Sequence, residues 1–410
     1  MEKATAPRDT NRLRIVDALR HEGRASRGDL ARMTGLSRST VAGLVSELQR
    51  RGLVVDAGEI DGAQSPAPRG RPPTLLRLGV TAGAAVGVDF GHGHIRVAVA
   101  DLSSAVLAER TLELDVDHEA ARALDAAAEL VSQVLAEAGV DAAGVLGAGV
   151  GVPAPVDRAT GTLRSSSIIP EWAGLDLAGE LGTRLGFPVT IENDANLGAL
   201  AEASFGAGRG LADVVYVRCE RGIGAGLFLG GSLYRGATGL AGELGHVQVR
   251  AEGAVCRCGN RGCLETVAAT GALLAALEPA HGQGLGVGRL RELVEQGDPG
   301  ATRVVNDAGR AIGRVLADLV NHLNPAAVIV GGALVGLAAE PLLRGIRDTV
   351  DRYAQPGTAE AVDVRPGVLG ERAEVLGALA LVIRDTKRIG SGPLVEPARE
   401  AKQSALAGRR

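Results

Sequence analysis

A chain of 410 residues exceeds one ordinary domain, and its 46% hydrophobic content with only 2% aromatics means cores built from Ala, Val, Leu and Ile. The net charge of −4 hides an asymmetry: residues 1–79 carry 14 Lys and Arg against 9 Asp and Glu, so a basic head precedes an acidic body. The polar N-terminus does not read as a signal peptide, and no run of about eighteen apolar residues offers a membrane span. Four cysteines, three of them clustered, do not read as a disulfide framework, and the expectation is a cytoplasmic protein with no membrane partner.

In chain order, Thr10–Glu22 reads as a helix with Leu13, Val16 and Leu19 on one face. Ser26 starts a second helix, with Asp29 three residues on as in a capping box, and Leu30 and Met33 are expected inward. Gly35 makes a turn, Ser37 caps a third helix with Val41, Leu44, Val45 and Leu48 at helical spacing, and Gly52 ends it before a strand at Leu53–Val55. The Gly-, Pro- and Arg-rich stretch Asp56–Pro73 reads as a wing and linker, followed by a strand at Leu75–Leu78.

The body opens on two β-rich runs, Ala85–Phe90 and Ile95–Leu102, joined as a hairpin by Gly91-His92-Gly93-His94. Strands at Thr111–Leu114, Val145–Val152 and Val189–Ile191 alternate with helices at His118–Ala138 and after Asn193. Val214–Val217 and Leu227–Leu229 open a second lobe, a helix over Val304–Leu323 feeds the strand Ala327–Val330, and Ala373–Ile383 is a closing helix. The alternation implies an α/β body. The expected division is a winged helix-turn-helix head with wing and linker over 1–79, a first lobe over 84–200 closed by the helix 373–385, a second lobe over 201–372, and a disordered tail over 387–410.

Three short helices with a trailing wing make a winged helix-turn-helix, whose third helix would enter the major groove of double-stranded DNA. Ser37, Arg38, Ser39 and Thr40 at its start have the reach and donors for phosphates and base edges, while Arg27 and Arg32 would touch the backbone. Arg69 and Arg71, flanking Gly70 before two prolines, fit either a narrow minor groove or a solvated linker.

Cys256, Cys258 and Cys263 place three thiols within eight positions, and His246 precedes Cys256 by nine intervening residues. One imidazole and three thiolates complete a tetrahedral zinc site of the structural kind, with Gly259 and Gly262 letting the loop fold round the metal. Four protein ligands leave no position for an activated water, which argues against zinc hydrolase chemistry. Cys219 is left over as a core residue.

The run Gly239-Leu240-Ala241-Gly242-Glu243-Leu244-Gly245-His246, followed by Cys256–Glu265, resembles the signature of the ROK family of repressors, uncharacterised frames and sugar kinases. Four further segments match it in order: Gly151–Asp157, Glu192–Asn196, Gly222–Gly226, and Asn324-Pro325 leading to Gly331-Gly332. The resemblance covers about Val86 to Ile383 and, with the basic head, points to the repressor branch. It implies an actin/hexokinase-like body of two ribonuclease-H-like α/β lobes with a sugar in the cleft, contacted by Asn193, Asp194, Glu243, His246 and Glu265. Carboxylates, amides and imidazole suit paired sugar hydroxyls, and His246 would give one ring nitrogen to zinc and the other to the sugar. In the family's kinases the residue matching Asp194 is the general base; here it is expected only to bind.

The phosphate grip is altered. Gly91-His92-Gly93-His94 stands where the kinases carry Gly-Gly-Thr-Lys, and Glu220-Arg221-Gly222 where they carry Gly-Thr-Gly or Gly-Ser-Gly. The imidazoles are expected near the phosphates and Glu220 facing them, which is unhelpful to a polyphosphate. The sequence therefore reads as a sugar-responsive DNA-binding regulator, a homo-oligomer (dimer or tetramer) on a palindromic operator and not an enzyme. The alternative is an ATP-dependent, glucokinase-like sugar kinase with a DNA-binding head.

Overall fold

The computed structural model describes residues 7–50, 52–57, 74–79, 83–157, 160–163 and 169–384. The expected wing, Arg69, Arg71 and the tail over 387–410 lie outside the described residues.

The head folds as helices α1 (Pro7–Glu22), α2 (Arg27–Thr34) and α3 (Arg38–Arg50) beside a small antiparallel sheet of β1 (Ala25–Ser26), β3 (Leu75–Leu78) and β2 (Val54–Asp56), in that order. Ser26 caps α2 through Asp29, whose carboxylate returns a bond to the Ser26 N–H at 3.1 Å. Gly35 ends α2 at φ +68°, a left-handed conformation that costs glycine little. The core takes Ile15, Val16, Leu19, Leu30, Val41, Leu44, Val45 and Leu48; the Leu13 side chain lies outside the described set. Met33 does not face inward as expected and is 41% exposed, because the chain reverses at Gly35 and Leu36 packs on the core instead.

The body contains two five-stranded sheets with the same plan. The first runs β6 (Val106–Glu113), β5 (His94–Asp101), β4 (Ala84–Phe90), β7 (Val145–Val152), β8 (Val189–Asn193); the first three strands are antiparallel neighbours and the last two run parallel to β4. The second runs β11 (Ser232–Tyr234), β10 (Ile223–Leu229), β9 (Val214–Cys219), β12 (Ala327–Gly331), β13 (Asp363–Pro366), again antiparallel and then parallel. This duplicated pattern is the actin/hexokinase-like architecture.

Between the sheets lie α6 (Asp194–Phe205), packed on β9 and β10, and α13 (Ala373–Ile383), packed on β4 and β7. Glycines permit this closeness: a Cβ on Gly149 would stand 2.1 Å from the Ala378 carbonyl oxygen, and one on Gly377 2.0 Å from that of Leu197. Helices α4 (Ala120–Ala138) and α5 (Leu177–Leu185) contact the first sheet, where Trp172 is fully buried, meets Phe90 edge-on at 5.0 Å and donates to the Val116 carbonyl. The second sheet is covered by α7 (Glu265–Ala268), α8 (Thr270–His281), α9 (Val287–Glu295), α10 (Pro299–Leu323) and α11 (Ala333–Tyr353), with α12 (Pro356–Ala361) leading into β13.

Head and body are packed together. Leu102, at the end of β5, is buried in the head's core, and Leu146 of β7 touches both that core and the cluster around α13. No helix among the described residues is long and apolar enough to cross a membrane.

Candidate functional site

The start of α3 is presented to solvent. Ser37, Arg38, Ser39 and Thr40 are all exposed. The Ser37 hydroxyl accepts from the Thr40 N–H at 3.1 Å and lies 2.9 and 2.8 Å from the Ser39 and Thr40 hydroxyls, so it is committed to capping. Arg27 and Arg32 are exposed but tethered, Arg27 donating to Gln49 at 3.1 Å and Arg32 to Asp29 at 2.6 Å. Among the described residues at the tip, Arg38 is the donor without such a tether, and the N-terminal end of α3 adds a favourable partial charge toward phosphate.

Between the lobes, strand ends and one helix start bring five polar groups to a single cavity: Asn193, Asp194, Glu243, His246 and Glu265. Strand β8 ends on Asn193, whose side-chain oxygen caps α6 by accepting from the Asn196 N–H at 3.2 Å. Asp194 is then the first residue of α6, where the helix dipole favours its charge. Its Oδ1 accepts from the Ala195 N–H at 2.7 Å and the Asn193 amide at 3.0 Å, while its Oδ2 faces the Arg218 guanidinium at 3.1 Å. Burial raises the Asp194 pKa above the usual carboxylate value, against the pull of Arg218 and the Ala195 N–H. Burial, with Asp194 and Glu265 nearby, pushes Glu243 up to about 7.

The cavity wall merges with a candidate metal site. The ligand atoms of His246, Cys256, Cys258 and Cys263 all lie within 4.8 Å of one another. His246 Nδ1 is 3.6 Å from the Cys256 sulfur, and its Nε2 is 3.8 Å from Glu243 on the cavity side, so the ring faces both sites. The loop is shaped for a small cradle: Gly262 has φ +65°, and a Cβ there would stand 1.6 Å from the Arg250 carbonyl oxygen. Burial pushes the Cys263 thiol up to about 12, a penalty on the thiolate that a divalent cation offsets. One nitrogen and three sulfurs at this spacing fit a closed tetrahedral ion. Cys219 is fully buried away from them, and burial pushes its thiol up to about 12.

A cavity of about 530 Å³ lies next to the first, lined in part by Asp89, His94, Arg218, Glu220, Gly331, Gly332 and Glu374. Here the structure corrects the expected phosphate region. Only His94 lines this cavity, bonded to Asp89 at 3.1 Å; His92 lines the first cavity instead, its Nδ1 held by Asp117 at 2.7 Å. His92 and His94 are two residues apart, a spacing that would share one face of a regular strand, but His92 lies in the turn between β4 and β5 while His94 is the first residue of β5, so strand alternation does not relate them. Glu220 does not stand free but pairs with Arg218, and Arg221 crosses to Asp117 on the other lobe at 3.3 Å.

Arg218 was not singled out by sequence reasoning. It is 9% exposed and joins three carboxylates: Asp194, Glu220 and, at 3.0 Å, Glu374 at the start of α13. The available signal was a charge between the apolar run Val214-Val215-Tyr216-Val217 and Cys219, since an arginine on a central strand must find buried partners. Arg257, paired with Glu265 at 2.8 Å, also lines the first cavity.

A winged helix-turn-helix head on a two-lobed body with a polar interlobe cavity defines a class, and comparison with known proteins narrows it. The ROK family profile matches residues 85–385, and a winged helix-turn-helix DNA-binding profile matches residues 8–55. The chain belongs to the ROK family. It is 30% identical over 388 residues to a putative xylose repressor of Caldicellulosiruptor sp., covering 92% of this chain and 96% of that one. The crystal structure of a ROK family transcriptional regulator, a homologue of the Escherichia coli Mlc protein, superposes with a TM-score of 0.75 at 26% identity over 94% of this chain and 98% of that one. A glucokinase of Thermotoga maritima is 32% identical, over 74% of this chain and 98% of its own.

Proposed function

We propose that this protein is a sugar-responsive DNA-binding transcriptional regulator, a repressor of carbohydrate genes, in which the head reads an operator and the interlobe cavity senses the sugar. The observation that carries this reading is the convergence of Asn193, Asp194, Glu243, His246 and Glu265 on one cavity in a body packed onto a winged helix-turn-helix through Leu102 and Leu146. The match to a putative xylose repressor over 92% of this chain and 96% of that one supports it, and we infer a small sugar as the effector. Zinc on His246, Cys256, Cys258 and Cys263 would be structural, fixing the tautomer and orientation of His246 toward the sugar. A homodimer or a larger even assembly on a palindromic operator accords with single-helix readout of each half-site. On the DNA side, Ser37, Ser39 and Thr40 frame the tip of α3 and Arg38 supplies a donor there, with Arg27 and Arg32 along the backbone.

Phosphoryl transfer requires positioned positive charge around the phosphates. In this chain the cleft beside Asp194 is filled with carboxylates whose one buried guanidinium is already shared among three of them. A coupled ADP-release assay with D-glucose, D-xylose, D-mannose and N-acetylated hexosamines is therefore expected to show no sugar-dependent turnover. Turnover near the roughly 1–100 per second of ordinary kinases, abolished by Asp194→Asn, would establish the kinase reading instead. For the head, Arg38→Ala is expected to weaken operator binding by about 1–3 kcal/mol, roughly 5- to 150-fold, in fluorescence anisotropy. An unchanged affinity would remove Arg38 from the interface.

A further inference from the structure

Strands β8 and β11 are edge strands of different sheets, and each leads to residues of the smaller cavity: β8 to Asn193 and Asp194, β11 through the loop 235–243 to Glu243. Opposite charges stand at the roots of these two segments. Glu192 directly precedes Asn193, and Arg235 is the first residue of the loop. The Arg235 Nε donates to Glu192 Oε2 at 2.5 Å, from one sheet's edge to the other's. Glu192 Oε1 accepts from the Asn193 N–H at 3.1 Å and from the Asn196 side-chain amide at 2.9 Å, so the carboxylate is locked to the start of α6. Glu192 is buried.

The loop is closed on its root. The Arg235 carbonyl accepts from the Ala241 N–H at 3.2 Å, and the Gly242 carbonyl accepts from the Ala225 N–H of β10 at 2.9 Å. Gly242 has φ +100°, and a Cβ there would stand 1.9 Å from the Ala225 carbonyl oxygen, so the loop lies flat on β10. The Glu243 carboxylate is 3.8 Å from His246, beyond hydrogen-bond reach, and its place is set by the loop that carries it. Neither Glu192 nor Arg235 is among the described residues that line the cavity. A buried ion pair adds little net stability over an apolar pair of the same size, yet either partner left alone is costly, so what it fixes is geometry.

We propose that Glu192 and Arg235 are positioning residues: their ion pair pins the loop that carries Glu243 to the strand end that carries Asn193 and Asp194, and so sets the spacing of the cavity's two halves without touching its occupant. The proposal rests on the reading of that cavity as the effector site.

Hydrogen exchange and calorimetry on the full-length protein test this with Glu192→Gln, Arg235→Met and Arg235→Lys. Glu192→Gln keeps the side chain's shape, but its NH2 must meet one set of donors, either Arg235 or Asn193 with Asn196. Arg235→Met keeps an apolar stem without the charge, and Arg235→Lys keeps the charge. Without sugar, Glu192→Gln and Arg235→Met should speed amide exchange over residues 236–246 by about tenfold or more, while Arg235→Lys stays near wild type and the head is unchanged in all three. With D-xylose and D-glucose as probes, the first two should lower the affinity for whichever sugar the wild type binds by about tenfold or more, Arg235→Lys should stay within about threefold, and the double variant Glu192→Gln/Arg235→Met should lose no more than either alone. Unchanged exchange in the loop overturns the tie. A loop that loosens while sugar affinity holds overturns the positioning role. Equal losses in Arg235→Lys and Arg235→Met, or losses that add in the double variant, reduce the arginine to packing and overturn the proposal as well. Should Glu192→Gln not fold, the two Arg235 variants decide. If the wild type binds neither sugar, the effector reading fails, and hydrogen exchange alone decides the tie.

Discussion

Asp194→Asn is expected to abolish the response to sugar while leaving sugar-free operator binding intact. The substitution keeps the shape of the side chain but replaces a charged acceptor by a neutral amide, with a donor group in place of one acceptor oxygen. A hydrogen bond to a charged group contributes about 1.5–3 kcal/mol, so sugar affinity should fall by roughly 10- to 150-fold. The replacement also leaves Arg218 with two carboxylates instead of three, weakening the contact between β9 and the start of α6. The head is remote from this change and retains its own core of Ile15, Leu19, Leu30, Val41 and Val45. Calorimetry for the sugar and anisotropy for the operator separate the two effects. Unaltered sugar affinity in the variant would remove Asp194 from the binding site.

The second large effect is expected at Cys258. This thiol is exposed, so Cys258→Ser creates no cavity in a core, yet it supplies one of four candidate ligands. A serine hydroxyl is a poor replacement for a thiolate on zinc. Metal content measured by mass spectrometry should fall from about one ion per chain to near zero, because a structural site is completed by all four ligands together. Sugar affinity should fall as well, since His246 would lose the ion that fixes its ring, while Cys219→Ser should leave metal content unchanged. Full zinc content in the Cys258 variant would refute the ligand set.

The sequence disclosed most of the local structure because each element carries its own punctuation. Ser26 and Asp29 announce the capping box of α2, Gly35 and Gly52 mark reversals, and the apolar runs at Leu75–Leu78, Val145–Val152 and Ala373–Ile383 occupy the elements assigned to them. The five polar residues read from the family resemblance meet in one cavity, and the four metal-ligand candidates meet in one cluster. What escaped was set by long-range packing. Met33 sits at a plausible inward spacing, but an eight-residue helix has room for few buried positions and Leu36 takes the space. His92 and His94 are two residues apart, and only the turn between β4 and β5 decides that one lines the smaller cavity and the other the larger. Arg218 depends on Asp194, Glu220 and Glu374, the last of them 156 residues away, so no local pattern could assemble that cluster.

A sugar can change DNA affinity only if it binds two arrangements of the protein unequally. The contact chain available for this runs from Asp194 through Arg218 to Glu374 on α13, and from α13 to Leu146 against the head. The direct measurement is operator affinity by fluorescence anisotropy at fixed salt, using a palindromic duplex selected from random sequence, with and without a saturating aldose whose binding calorimetry has established. The account predicts at least a tenfold change in operator affinity on adding the sugar. An operator affinity that stays within twofold while the cavity is demonstrably full would contradict it.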